Sequence, residues 1–157
     1  MKYLFIIAFF ISAVGSAQDL KEIRSQYPTA VESSEITLKL DAALLGVTTK
    51  SNPVLLAYKG AVSTLKAKFA KARSEKKEYF KEGVLFIESA VKAAPKNIEI
   101  RYIRMSVQEN SPKFLGYHKS IKEDKQFLLK SYDTISSMEL KGLVKEFVLK
   151  SENFSES

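Results

Sequence analysis

Two arginines one helical turn apart, Arg101 and Arg104, are the side chains in this 157-residue sequence with the clearest capacity to bind a charged group. They fall in the stretch Ile98 to Glu109. At about 100° per residue, Ile98, Tyr102 and Met105 make one apolar strip, and Ile100, Ile103 and Val107 make another. Arg101, Arg104 and Gln108 lie along one edge between the strips. Two strips predict a helix gripped on both sides, with its arginines in a cleft. No Asp or Glu stands three or four residues from either arginine, so neither has an in-helix partner. A guanidinium withdrawn from water needs an opposite charge. It can come from another helix, from Glu78, Glu82 or Asp124. Alternatively Arg101, Arg104 and Gln108, with Tyr58, form a cleft that takes a carboxylate or acidic peptide through bidentate hydrogen bonds.

Catalytic chemistry finds fewer parts. Cysteine is absent and His118 is the only histidine, which removes Cys/His catalysis, the usual serine triad and a His-rich zinc site. The glycines are scattered singly, so no phosphate loop is present. Glu82 and Glu88, six apart, point to different faces of one helix. His118, in Gly-Tyr-His-Lys, reads as a hydrogen-bonding surface residue. The expectation is a protein that is not an enzyme and needs no metal or cofactor.

The elements that must position these residues read as helices throughout. Lys2, the apolar run Tyr3 to Val14 and Gly15-Ser16-Ala17 have the form of a cleaved targeting segment, residues 1–17. About a dozen apolar residues fall short of the roughly twenty that span a bilayer. Export is expected, to the periplasm rather than beyond the cell, with no transmembrane span after cleavage. What remains, 18–157, is one domain with a polar tail from about residue 151 that should fray. Lys+Arg number 25 against 18 Asp+Glu, so loss of Lys2 leaves a net charge of +6. Such a chain will feel acidic partners and anionic envelope surfaces. It carries no nucleic-acid recognition motif.

Pro28 interrupts the first apolar periodicity, Leu20 to Val31, so a kinked helix and two helices split there both remain open. Thr29 with Glu32 offers a capping box. Ser33 or Ser34 caps a helix carrying Ile36, Leu40 and Leu44. Asn52-Pro53 starts another, which runs to about Arg73. Its end is basic: Lys66, Lys68, Lys71 and Arg73, then Lys76 and Lys77. A phosphate or lipid patch is one reading. The favoured one is a solvated face with cations near a helix C-terminus, since no aromatic shares the charged face. Ser74 falls in the loop before a helix that starts near Lys76. That helix stops at Pro95, and Asn97 caps the next. Gly116 closes a short turn. Ser120 with Glu123 and Ser136 with Glu139 form capping boxes for the last two helices.

Gly83, Ile87, Ala90 and Pro95 have the spacing of the second helix of a tetratricopeptide repeat, and Pro-Lys-Asn resembles the joint between repeats. Leu56 and Gly60 resemble part of the first helix. Gly60 and Gly83 lie about twenty residues apart, where a regular repeat places about a dozen. The order NPVLLAYKGA, PKNIEIRYIRMSVQ, FLGY is similar to small exported bacterial helical proteins of unknown function. The expected fold is all-α: antiparallel helix pairs stacked as a short tetratricopeptide-like array or an irregular bundle. The resemblance implies a right-handed stack. The expected function is non-catalytic: a protein or acidic-peptide interaction module with a basic cleft. The alternative is an enzyme, or a carrier of a small anionic ligand, that uses acidic residues the sequence does not single out.

Overall fold

The computed structural model describes residues 13–155, with side chains from Asp19 onward. Residues 1–12 of the expected targeting segment lie outside the described residues, and 13–17 form the start of the first helix. The fold is all-α, with seven α-helices and no strand among the described residues. They are α1 (Ala13–Ala30), α2 (Ser34–Ala43), α3 (Pro53–Phe69), α4 (Arg73–Ala93), α5 (Ile98–Asn110), α6 (Ile121–Ser131) and α7 (Met138–Lys150). None of the described helices is long and apolar enough to cross a membrane.

Side-chain caps mark several of the starts. Ser33 accepts from the Ile36 amide, Asn52 from Val54 with Pro53 at the first helical position, and Asn97 from Ile100. Pro28 is carried inside α1, close enough to its end that a single lost bond is tolerated. The Thr29–Glu32 capping box does not form, because the chain turns out of the helix there through an amide of Glu32 donating to the Thr29 carbonyl. The Ser120–Glu123 box is replaced too: Ser120 makes no side-chain cap, and Glu123 is taken by Arg101. At α7 the cap is Ser137, which accepts from Leu140, and not Ser136. Gly116 closes the 3-10 turn Lys113–Leu115 at φ 68°, the left-handed region that favours glycine.

Helices α3 and α4 form a long antiparallel hairpin joined only by residues 70–72. Its crossing point is Gly60 against Gly83. A Cβ on Gly60 would lie 2.6 Å from the Gly83 carbonyl oxygen, and one on Gly83 would lie 2.5 Å from that of Gly60. Only hydrogen fits, so the two backbones touch and the side chains on either side interlock. The expected loop around Ser74 is helix instead. No proline or glycine interrupts residues 70–76, and the packed hairpin extends α4 back to Arg73.

Helix α5 runs through the middle, packed against α3, α4, α6 and α7. Every residue from Glu99 to Gln108 is buried, as two apolar strips require. The C-terminal tail departs from the expectation of fraying. Ser151 Oγ and Asn153 Nδ2 donate to Glu109 at 2.5 and 2.7 Å, and Phe154 packs edge-on to Phe147.

The crossing generates a paired expectation. Gly60→Ala or Gly83→Ala must force backbones apart and should destabilise by about 1–3 kcal/mol. Gly142→Ala, inside α7 with nothing within 4 Å of a built Cβ, should stabilise by about 0.5–1 kcal/mol. Denaturant titration of the three variants measures both.

Candidate functional site

The candidate residues on α5 are buried together but partnered from within. Arg101 donates through Nε to Asp124 Oδ1 at 2.5 Å, through a terminal nitrogen to Glu123, and through Nη1 to the Pro95 carbonyl at 3.2 Å. Its guanidinium also lies over the Phe127 ring, 4.7 Å from the centroid. Arg104 grips the same aspartate in the bidentate mode, Nε to Oδ2 and Nη2 to Oδ1, both 2.7 Å. Glu88 accepts a longer bond from it at 3.3 Å. Asp124 is fully buried, so α6 supplies the counter-charge for both arginines. Of the three acids considered, Asp124 is the partner. Glu82 instead accepts from Ser63, and Glu78 takes part in no ion pair among the described residues. The carboxylates of Asp124, Glu123 and Glu88 fill the space an acidic ligand would need.

Tyr58 lies apart from the arginines. It donates at 2.9 Å to Glu99, a buried carboxylate that also receives Arg24 on two bonds of 2.6 and 2.5 Å. This clamp ties α1 and α3 to the start of α5. Gln108 is buried, and its Oε1 has no hydrogen-bond partner. His118 hydrogen-bonds the Ser111 carbonyl at 3.0 Å. No group of three His, Cys, Asp or Glu suited to a metal ion occurs among the described residues.

The space for a ligand lies elsewhere. A groove of about 1340 Å³ opens between α1, α3, α4, α5 and α7. Its lining is predominantly apolar, with Leu65, Phe80, Val84, Val107, Leu143 and Phe147 among it. Leu85 and Phe114 stand at its mouth 60% and 86% exposed. One side is cationic: Arg73, Lys76, Lys77 and Lys81 line it from α4, and none forms an ion pair among the described residues. The acids of α4, Glu75, Glu78, Glu82 and Glu88, do not line it. Across from α4 stand Glu109, held by Ser151 and Asn153, and Glu146 with Lys150; Glu32 and Lys68, an ion pair, line the groove as well.

This overturns the expectation for the basic stretch in two respects. Lys66 and Lys68 do sit in the last turn of α3, where the backbone dipole favours them. Arg73, Lys76 and Lys77 begin α4 instead, where the same dipole disfavours cations. The charged face also carries an aromatic. Positions 73, 76, 77, 80, 81 and 84 follow helical spacing, which puts Phe80 and Val84 among the cations. That pattern was available in the sequence. It is hidden when Lys76 and Lys77 are grouped with the basic end of α3.

Comparison of the chain with protein-family models, curated proteins and solved structures finds no match.

Two expectations follow from the buried groups. Asp124→Asn leaves two buried guanidiniums without their shared carboxylate and should cost about 3–5 kcal/mol of stability, read by denaturant unfolding. Burial pushes the Tyr27 hydroxyl from 10.0 up to about 12, and it also raises Tyr58, Tyr102 and Tyr117. The fold holds these groups neutral while the unfolded chain ionises them. Tyr27 therefore costs no stability below pH 10.0 and its share is lost as pH rises through about 12, while Tyr58, Tyr102 and Tyr117 carry the loss to higher pH. Tyrosinate absorbance and helical circular dichroism should change together over that range.

Proposed function

We propose that the protein is a non-catalytic, exported binding module whose groove receives an acidic amphipathic helix of a protein partner. One observation carries the reading: a row of cations on α4, in no ion pair among the described residues, borders a groove with an apolar lining. Cations at a helix start lower the stability of their own helix. Clustered there without partners, they supply the opposite charge for an acidic edge. The groove exceeds the roughly 300–1,000 Å³ usual for small-ligand pockets, which suits a macromolecular segment. Its apolar lining offers little to an extended backbone in need of hydrogen bonds. A helix satisfies its own backbone and presents an apolar face with a charged border, the helix-in-groove mode.

The Gly60–Gly83 contact supports the tetratricopeptide-like reading of the hairpin.

The reading is tested with two synthetic amphipathic helical peptides that share a leucine face, one bordered by glutamates and one by lysines. The acidic peptide should bind, more weakly as salt is raised, and the basic peptide should not. Replacing Arg73, Lys76, Lys77 and Lys81 together by glutamine should weaken acidic-peptide binding about tenfold or more. The melting temperature should hold or rise. Equal binding of both peptides, or unchanged affinity in the glutamine variant, would remove the basis for the proposal.

A further inference from the structure

Phe114 is the most exposed large apolar side chain among the described residues. A single exposed apolar residue is ordinary on a protein surface. Leu45, Met138 and Leu149 are such cases, exposed by 74% or more and outside the groove. Phe114 differs in its place. It lines the groove together with Leu85 and Leu115, the other exposed large apolar side chains that do so. The apolar lining therefore continues out to the rim.

The backbone beneath the Phe114 ring is fixed, although the ring itself is not packed. The carbonyls of Pro112 and Lys113 accept from the amides of Leu115 and Gly116, both at 3.0 Å, and Gly116 takes φ 68°. On one flank Ser111 Oγ donates to the Val107 carbonyl at 2.6 Å, and the Ser111 carbonyl is hydrogen-bonded to His118 Nε2 at 3.0 Å. On the other, Tyr117 donates to Glu88 at 2.6 Å and lies edge-on to Phe80, with centroids 6.2 Å apart. These contacts tie the turn to α5 and α4. A partner that covers Phe114 has one side chain to order and no loop, which lowers the entropic cost of binding. Aromatic side chains desolvated by a partner carry much of the binding energy of interfaces.

We infer that Phe114 is the anchor residue of the groove, buried by the apolar face of the bound acidic helix. This rests on the proposed groove function and adds the side chain from which apolar affinity is drawn. Lys81 and Leu85 are one helical turn apart on α4, and both line the groove. A helix whose acidic edge meets Lys81 thus brings its apolar face to the rim that Leu85 and Phe114 share. A lipid surface also accepts an exposed phenylalanine. It is flat, however, and would leave uncovered the lining of which Phe114 is the outer part. A helix covers both.

The test titrates the acidic leucine-faced peptide against wild-type protein, Phe114→Ala, Phe114→Leu and Met138→Ala. Phe114→Ala should weaken binding about tenfold or more. Its melting temperature should hold, because so exposed a ring has little packing to lose. The salt dependence of binding should be unchanged, since the α4 cations are untouched. Phe114→Leu should restore most of the affinity. Met138→Ala, about as exposed but outside the groove, should have no effect. Unchanged affinity in Phe114→Ala, or an equal loss in Met138→Ala, would overturn the inference. A lowered melting temperature in Phe114→Ala would make the ring structural and overturn it too. So would loss of co-sedimentation with phosphatidylglycerol vesicles in Phe114→Ala at unchanged peptide affinity, which would assign the turn to lipid. Failure of the acidic peptide to bind wild-type protein would instead bring down the groove reading, and the inference with it.

Discussion

Three charged side chains enter the core of this protein on one helix, and the helices around it must supply their partners. Glu99, Arg101 and Arg104 are all buried on α5. Arg24 from α1 and Tyr58 from α3 answer the first, while Asp124 and Glu123 from α6 and Glu88 from α4 answer the other two. A buried charge left unpaired costs more than a pair contributes. The pairs therefore act as constraints on docking. A helix placed on the wrong side of α5 strands an ion in the interior. Apolar contact alone would tolerate several packings of these helices; the charges restrict them.

The groove is what this arrangement leaves open. The Gly60–Gly83 crossing fixes α3 on α4, and α5 lies across them. The first half of α4 then runs past the central core as one wall. Its cations stand on a helix start that gains nothing from them, over Phe80 and Val84. The buried arginines and the groove cations illustrate a common division. Paired, enclosed charges hold the structure. The groove cations, exposed and in no ion pair among the described residues, lie outside that framework.

Much of the local structure was legible in the chain because its causes are local. The 3.6-residue periodicity marks the helices, Ser33, Asn52 and Asn97 cap them, and Pro53 and Pro95 punctuate them. The Ser120–Glu123 capping box failed because a distant residue competed. Glu123 would have capped α6, but Arg101, 22 residues away in sequence, claims it. Nothing punctuates the start of α4, so its first cations read as a continuation of the basic end of α3. The docked tail was illegible for the same reason, since Glu109 holds Ser151 across 42 residues.

By itself, the sequence determined that this protein is all-α, where most of its helices begin, and that Arg101 and Arg104 are withdrawn from open solvent. Those properties follow from side-chain period, caps and the two-sided apolar wheel of α5. Only tertiary structure decided that Asp124 answers both arginines, that Tyr58 belongs to Glu99, and that the open groove lies beside α4. Charge pairing and empty space are relations between elements remote in sequence. Periodicity can say that a face is buried, but which residue meets it depends on how the helices cross.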